Sequence, residues 1–476
     1  MTLDPSSSSV PRGDAIPFDA ARRRAFADFA LRTRYDDIPL RTRERVKDYC
    51  LDLIGVSAAA AQIEAARIGR EMAVRQMSAG ADDARARILF DGRCASLVGA
   101  AYAGATQIDS LDAHDGYSAA KGHAGCGLLP SLLAFAERKG ELTGEDFLTS
   151  LVVGYEIACR AGLALHGTVS DYHTSGAWVS LAVAALGVRL LNPHPDILRH
   201  AIGIAEYHGP RSQMMREIGN PTMLHDGSGW GAMVGVSAAE LALMGYSGAP
   251  AVTVEGDDAS VYWEDLGHTW LTDRQNIKLY PICRWAHAPV KAALDLCAAH
   301  HLQASDIASI HVESFHEATR LARGIPETTA VAQYSLDYPV AAALVCGALG
   351  AHEVSGKTFH DPEIARLVSV TTVAECPHCN ANFPADRLGR TILTTFDGRT
   401  CDSGIVRAPG EHSNPISRDG IVEKFRTFTA PVLSAERRAS IEHAVFSLGN
   451  RPDALSALQQ ALYEPIVYSG VAHHSH

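Results

Sequence analysis

The chain has 476 residues, 47% of them hydrophobic, 20% charged and 7% aromatic, which suits a globular protein with a large buried core. A formal net charge of −12 gives it no global attraction for nucleic acid or an anionic membrane surface. No apolar stretch reaches the roughly 20 residues that cross a bilayer, so no membrane partner is expected.

The N-terminal "MTLDPSSSSVPRGD" lacks the apolar core of a secretory signal, and residues 1–15 are expected to be a disordered tail. The ten cysteines form no disulfide framework, which favours a reducing, cytoplasmic setting. From "FDAARRRAFADFALRTRY" onward, apolar residues recur at three-and-four spacing and predict helix after helix. "CASLVGAAYAGATQIDSLDA" and "GCGLLPSLLAFAERKG" are almost wholly small or apolar, as in helices buried on most sides. Thr143, three residues before Asp146, is a near-match to a capping box at the start of the next helix. After about residue 265 the texture changes. "IASIHVESF" alternates like a strand, and "LGRTILTTFDGRTC" predicts a hairpin turning at Asp397-Gly398. The expected fold is mostly α. Residues 16–268 and 406–470 form a large helical domain from both ends of the chain, with a smaller lid-like α+β domain over 269–405.

Four polar groups interrupt this pattern. In "QIDSLDAHDGYSAAKGHAGCG", Asp109 and Asp112 are expected on one helical face, with His114, Asp115, Lys121 and His123 in the following loop. Gly122, Gly125 and Gly127 bracket the next helix start, where backbone N–H groups and the helix dipole favour an anion. "AHDG" also allows a divalent metal, with His166, His173, His208 or His225 as further ligands, as in metal-dependent phosphohydrolases; a polar capping loop is the plain alternative. In "SDYHTSGAW", Tyr172 and His173 precede Thr174 and Ser175, which suit a helix cap. Arg211 and Arg216 offer forked donors for carboxylates, and His225-Asp226 precedes another glycine-rich helix start. "NIKLYPICRWAHAP" sets Lys278, Cys283, Arg284 and His287 at the change of texture, where clefts form. Tyr334 and Tyr338 are expected on one face of a later helix. Cys376 and Cys379 in "ECPHCN" read as a loop with two thiols, since no second pair stands at zinc spacing. With no phosphate loop or G-x-G-x-x-G fingerprint, no nucleotide is expected. The remaining inventory suits proton transfer on a small carboxylate.

The order of these motifs resembles the MmgE/PrpD family, which includes 2-methylcitrate dehydratase, cis-aconitate decarboxylase and iminodisuccinate epimerase. The resemblance runs through "D-x-x-D-A-H-D-G…K-G-H-A-G", "GYEIACR…YHTSG", "GSGWGAMVGVSAAELALMGY", "IKLYPICRWAHAP", "YSLDYPVAAAL" and "NPISRDGIVEKF". It implies a homodimer without cofactor or metal, acting on a small polycarboxylate. Asp109, His123, His173, Lys278 and Tyr338 match the family's catalytic positions. His225 stands where the family has a second Lys, and Ala113 where it tends to have Thr. These departures weaken a transfer of decarboxylase or dehydratase activity, and the "AHDG…KGHAG" form is more similar to the iminodisuccinate epimerase branch. The expected reaction is therefore removal and return of an α-proton, with a dehydratase or decarboxylase as the alternative. His173 and Lys278 would transfer protons, Asp109 would orient His123, and Tyr338 would donate to the substrate. Lys121, His114, Arg211, His225, Arg284 and His287 would bind it.

Overall fold

In a computed structural model, residues 20–466 are described; the expected tail over 1–15 and the closing "VAHHSH" lie outside them. The chain opens with α1 (Ala20–Arg32), α2 (Leu40–Ala60) and α3 (Glu64–Gln76), followed by a short hairpin of β1 (Arg85–Arg87) and β2 (Cys94–Ser96). Then come α4 (Leu97–Asp109), α5 (Gly125–Lys139), α6 (Gly144–Thr168), α7 (Gly176–Leu191), α8 (Pro195–His208), α9 (Met214–Gly219), α10 (Ser228–Leu243) and α11 (Val252–Glu255).

α10 packs against α7, α4 and α8, and the small residues of the sequence allow this closeness. A Cβ on Gly231 would stand 2.5 Å from the Gly176 Cα, and one on Gly235 would stand 2.6 Å from the Ser180 carbonyl oxygen. α7 and α10 therefore meet backbone to backbone, and the loops before them converge. Thr143 caps α6, its hydroxyl accepting the Asp146 N–H at 3.0 Å. Among the described residues α6 is the one helix long and apolar enough to cross a membrane; Glu156 and Arg160 interrupt it, and nearly all of it is buried in the fold. Glu156 accepts the backbone N–H and hydroxyl of Thr272, and Arg160 donates to the carbonyls of Tyr262 and Thr269. The "GYEIACR" motif thus fixes the segment leading to Lys278.

The second half holds α12 (His287–His300), β3 (Ile307–Ser314), α13 (His316–Thr319), α14 (Thr329–Gln333), α15 (Asp337–Cys346), α16 (Pro362–Ser369), β4 (Thr371–Glu375) and α17 (Pro377–Asn382). β5 (Leu388–Thr395), β6 (Thr400–Asp402) and β7 (Val406–Arg407) follow, then α18 (Arg418–Thr429), α19 (Ala435–Ser447) and α20 (Ala454–Tyr463). The sheet order is β4-β3-β5-β6, with β7 also on β5 and only β3–β4 parallel. Ile310 faces Leu393 across β3 and β5, and α12 covers the sheet. The β5–β6 hairpin turns at Asp397-Gly398, with Gly398 at φ +85°. Cys376 and Cys379 belong to the start of α17, in a small core with Phe315 and Phe383, and are not part of a loop.

α18 returns to the N-terminal helices and lies on α2. Arg418 binds Asp48 at 2.6 Å, while Lys424 donates to Asp52 at 2.6 Å and to the Ala113 carbonyl at 2.7 Å. The "NPISRDGIVEKF" motif therefore clamps the polar loop from below. The fold is mostly α with one small sheet in its second half.

Candidate active site

Asp109 is the last residue of α4, and its Oδ2 accepts the Ser228 N–H, the first of α10, at 3.1 Å. Asp112 does not share its face. The chain leaves the helix, Asp112 takes φ +52°, and Lys278 Nζ donates to its carbonyl at 3.0 Å and forms an ion pair with its carboxylate. His114 Nε2 lies 3.5 Å from Asp109 Oδ1, and its ring stands 4.5 Å from that of His123. His123 Nδ1 lies 2.6 Å from the Asp115 carbonyl oxygen, which can only accept, so Nδ1 carries a proton. Nε2 is left facing Asp226 Oδ2 at 3.8 Å. Asp226, not Asp109, is thus the carboxylate that faces His123.

The turn carrying Asp226 is held by Glu217, whose carboxylate accepts the N–H groups of Thr222 and His225 at 2.7 and 3.3 Å. His225 and Gly227 both have positive φ, +47° and +65°, which folds the turn tightly enough to present His225 and Asp226 together. Ser175 does not cap α7 with its side chain. Its hydroxyl accepts the His123 N–H at 2.9 Å and donates to Asp226 at 2.7 Å.

Burial pushes Asp109 up to about 7, and the neighbouring Asp226 charge adds to the shift. Burial would also raise Asp226, but His123, the Ser175 hydroxyl and Lys278 outweigh it and hold that carboxyl below its usual range. Burial, aided by His123 and Lys278, takes His114 well below its usual value, so its ring is neutral. One carboxyl that keeps its proton to neutrality therefore stands beside one that is ionised, the arrangement that separates acid and base roles.

Asp109 and His225 form the inner end of a cavity of about 640 Å³, whose walls include Thr174, Gln213, Arg216, Tyr102 and Trp230. That volume suits a small molecule. Asp109, His114 and Cys126 bring ligand atoms within 4.8 Å of one another and could approach a metal. The Cys126 thiol, however, is raised well above its usual value by burial and donates to Ser228 Oγ, which makes it a poor ligand. His114 and Asp115 do not share a metal position: Asp115 faces away, beside the Tyr155 hydroxyl and the Gly125 backbone, and burial raises it to about 7. The helix-start glycines also have a packing role. A Cβ on Gly125 would fall 2.4 Å from both Asp115 Oδ1 and the Tyr155 hydroxyl, and one on Gly127 would fall 2.6 Å from Val179.

The other residues expected from the sequence take varied places in the structure. Tyr338 donates to the Glu353 carbonyl at 2.7 Å and meets Thr358 Oγ1 at 2.9 Å, so its hydroxyl is committed within the α+β part. α14 ends at Gln333 and α15 begins at Asp337, so Tyr334 and Tyr338 share no helical face. Tyr334 lies closer to the cluster, 6.2 Å from the His225 ring and within electrostatic reach of Asp112, Asp226 and Asp109. Arg211 is exposed, 3.9 Å from Glu206, and the cavity guanidinium is Arg216. Lys121 is exposed over the Tyr172 ring at 5.6 Å. His173 is buried and stacks on His166 at 6.4 Å; no hydrogen bond or ring contact among the described residues joins it to His123 or Asp109. Arg284 binds Glu411 at 3.3 Å and lies 3.3 Å from His287 Nδ1, while His287 Nε2 meets the Ile282 carbonyl at 3.2 Å. Sequence reasoning left out Asp226, Tyr334, Glu411 and Ser175 as site residues. A signal for Asp226 was present: His225-Asp226-Gly227 repeats the His114-Asp115-Gly116 tripeptide.

A helical core with a small α+β part carries a buried cluster of aspartates and histidines beside a cavity, as an enzyme does. Residues 24–263 match the MmgE/PrpD N-terminal domain and residues 280–448 the MmgE/PrpD C-terminal domain, so the chain belongs to the MmgE/PrpD family. It is similar to the cis-aconitate decarboxylase-like protein oryM of Aspergillus oryzae, 25% identical over 468 residues, covering 89% of this chain and 93% of that protein. It is 24% identical over 470 residues to cis-aconitate decarboxylase of Aspergillus terreus, covering 90% of this chain and 94% of the relative. It is also 24% identical over 378 residues to the human cis-aconitate decarboxylase, covering 74% and 77%.

Proposed function

We propose that the protein is a lyase that breaks a bond beside a carboxylate of a small polycarboxylate, with cis-aconitate the first substrate to test. The observation that carries this reading is the pairing of Asp109, which lines the cavity and is raised to about 7, with the ionised Asp226 behind it. In a decarboxylation, a carbon gains a proton as its bond to a carboxylate breaks and carbon dioxide leaves. Asp109 can supply that proton near neutral pH, and Lys278 and His123 stabilise the charge that develops on the remaining carboxylates. Asp226 holds His123 in place. The nearly full-length match to decarboxylases supports a lyase over an epimerase.

The epimerase remains a second reading because both departures from the family pattern lie at the site. His225 lines the cavity, and Ala113 adjoins His114 with its carbonyl taken by Lys424. His173, beside His166, is a candidate proton carrier for that reaction, and His173→Gln would abolish it.

Proton NMR in D₂O with cis-aconitate, 2-methylcitrate, citrate and iminodisuccinate separates the readings. Carbon dioxide release with a new product alkene from cis-aconitate is expected for a decarboxylase, and a new vinylic signal from a hydroxy acid for a dehydratase. Deuterium entering an α-position with inverted stereochemistry and no lost group would replace the lyase by the epimerase. Sedimentation of the full chain as a monomer would remove the homodimer expected from the family resemblance.

A further inference from the structure

A second cluster of buried charge lies at the approach to α12. Arg284 Nε stands 3.3 Å and Arg387 NH1 4.0 Å from the same oxygen, Glu411 Oε1. The three side chains are only 10%, 11% and 8% exposed, so this is a buried group with two cations and one anion. Among the described residues no other carboxylate pairs with either guanidinium. Glu411 is further occupied by the Ser118 hydroxyl at 3.2 Å.

Arg284 NH2 and Arg387 Nε are buried with no hydrogen-bond partner. An uncompensated interior charge with orphaned donors is costly, and one further oxyanion would satisfy both the charge and the two N–H groups. Arg387 is fixed in place because its carbonyl accepts the Ala408 N–H at 3.0 Å, just before β5. Ser118 links the group to the loop that carries His123, and Asn276 donates to the same Ser118 at 3.1 Å. The Tyr172 hydroxyl, which donates to the Lys121 carbonyl at 2.7 Å, lies within reach of the charges of both Arg387 and Asp226. Arg387 and Asp226 therefore both act on one ring.

We infer that Arg387, together with Arg284, forms a carboxylate-binding position remote from Asp109. The position selects substrates that carry a second carboxylate beyond the reacting carbon. This rests on the polycarboxylate reading above and assigns its far end to a residue that the sequence motifs do not contain. A planar guanidinium with a free edge matches a carboxylate's two oxygens, which a lysine at position 387 would not reproduce.

The test is calorimetric binding of the unreactive propane-1,2,3-tricarboxylate to the full chain, wild type and Arg387→Gln. The expected result is a loss of roughly 30-fold in affinity, the scale of a buried charged contact. The unliganded variant should unfold no earlier than wild type, because it sheds an excess buried charge; a purely structural ion pair with Glu411 predicts a lower melting temperature instead. Arg387→Lys keeps a charge at this position should the Gln variant not fold, and is expected to bind the probe more weakly than wild type. Equal affinity in wild type and the folded variants, or no binding of the probe to wild type, would overturn the proposal. The probe needs no turnover, so Arg387-dependent binding without reaction on any tested substrate would leave this position standing and remove the lyase reading alone.

Discussion

The two His-Asp-Gly tripeptides, 114–116 and 225–227, begin alike in sequence and end in opposite arrangements. In the first, the His enters the site and the Asp turns into the core; His114 faces Asp109 and Asp115 lies beside Tyr155. In the second, His225 lines the cavity and Asp226 faces His123. Burial raises both aspartates. Asp115 stays at about 7 because the Tyr155 hydroxyl and Lys424 offset little of the desolvation, and Asp52 adds to it. Asp226 ends below its usual range because His123, the Ser175 hydroxyl and Lys278 outweigh its burial. The same three residues thus give a structural acid in one place and a charged working group in the other. What decides is the set of charges and hydrogen-bond donors around the carboxylate, which arrive from distant parts of the chain.

That contrast can be broken by substitution. The largest effect is expected for Asp226→Asn, which removes the charge that holds His123 and should lower kcat by roughly 10²–10⁴-fold with an unchanged circular dichroism spectrum. Retained turnover in a correctly folded variant would show that Asp226 is no more than a turn residue.

Lys278→Met leaves the Asp112 carboxylate buried without its ion pair. Denaturant unfolding should report a loss of about 3–5 kcal/mol, the cost of stripping one partner from a buried pair. Asp112→Asn in the same background should recover much of it.

For Asp115 the sign follows from its folded value lying above that of an unfolded carboxyl. The fold favours the protonated form, so this group's stabilising contribution is fullest below about pH 4 and declines as pH rises to about 7. The loss is then complete, at up to roughly 4 kcal/mol. Asp115→Asn should flatten that part of the stability curve while leaving the acid–base pair intact. An unaltered curve would mean that Asp115 titrates as an ordinary carboxyl.

The smallest effect is expected for Tyr338→Phe, which loses hydrogen bonds to Glu353 and Thr358 and should cost about 1 kcal/mol in stability with turnover nearly unchanged. A collapse of activity in that variant would restore Tyr338 to the site in place of Tyr334.

Much of this was legible in the sequence because it depends on local spacing. The small-residue helices, the Thr143 cap and the Asp397-Gly398 hairpin follow from periodicity and turn chemistry. So does the gathering of Asp109, His114 and His123 at the α4–α5 loop. The partners of those residues were not legible, since pairing Asp226 with His123 or Arg387 with Glu411 depends on how distant segments cross. Helical spacing also misled where the helix stopped. Asp109 and Asp112, and then Tyr334 and Tyr338, would share faces only if the chain stayed helical between them.

Two neighbouring aspartates hold opposite protonation states below about pH 7, and this is the central claim. Carbon-13 NMR titration of aspartate carboxyls in wild type and Asp109→Asn tests it most directly. The account predicts wild-type carboxyl signals titrating near pH 7, one of which disappears in the variant, while the Asp226 signal titrates below the ordinary carboxylate range. Loss of a signal that titrates near pH 4 instead would contradict it, because Asp109 would then be ionised like its neighbour and have no proton to give.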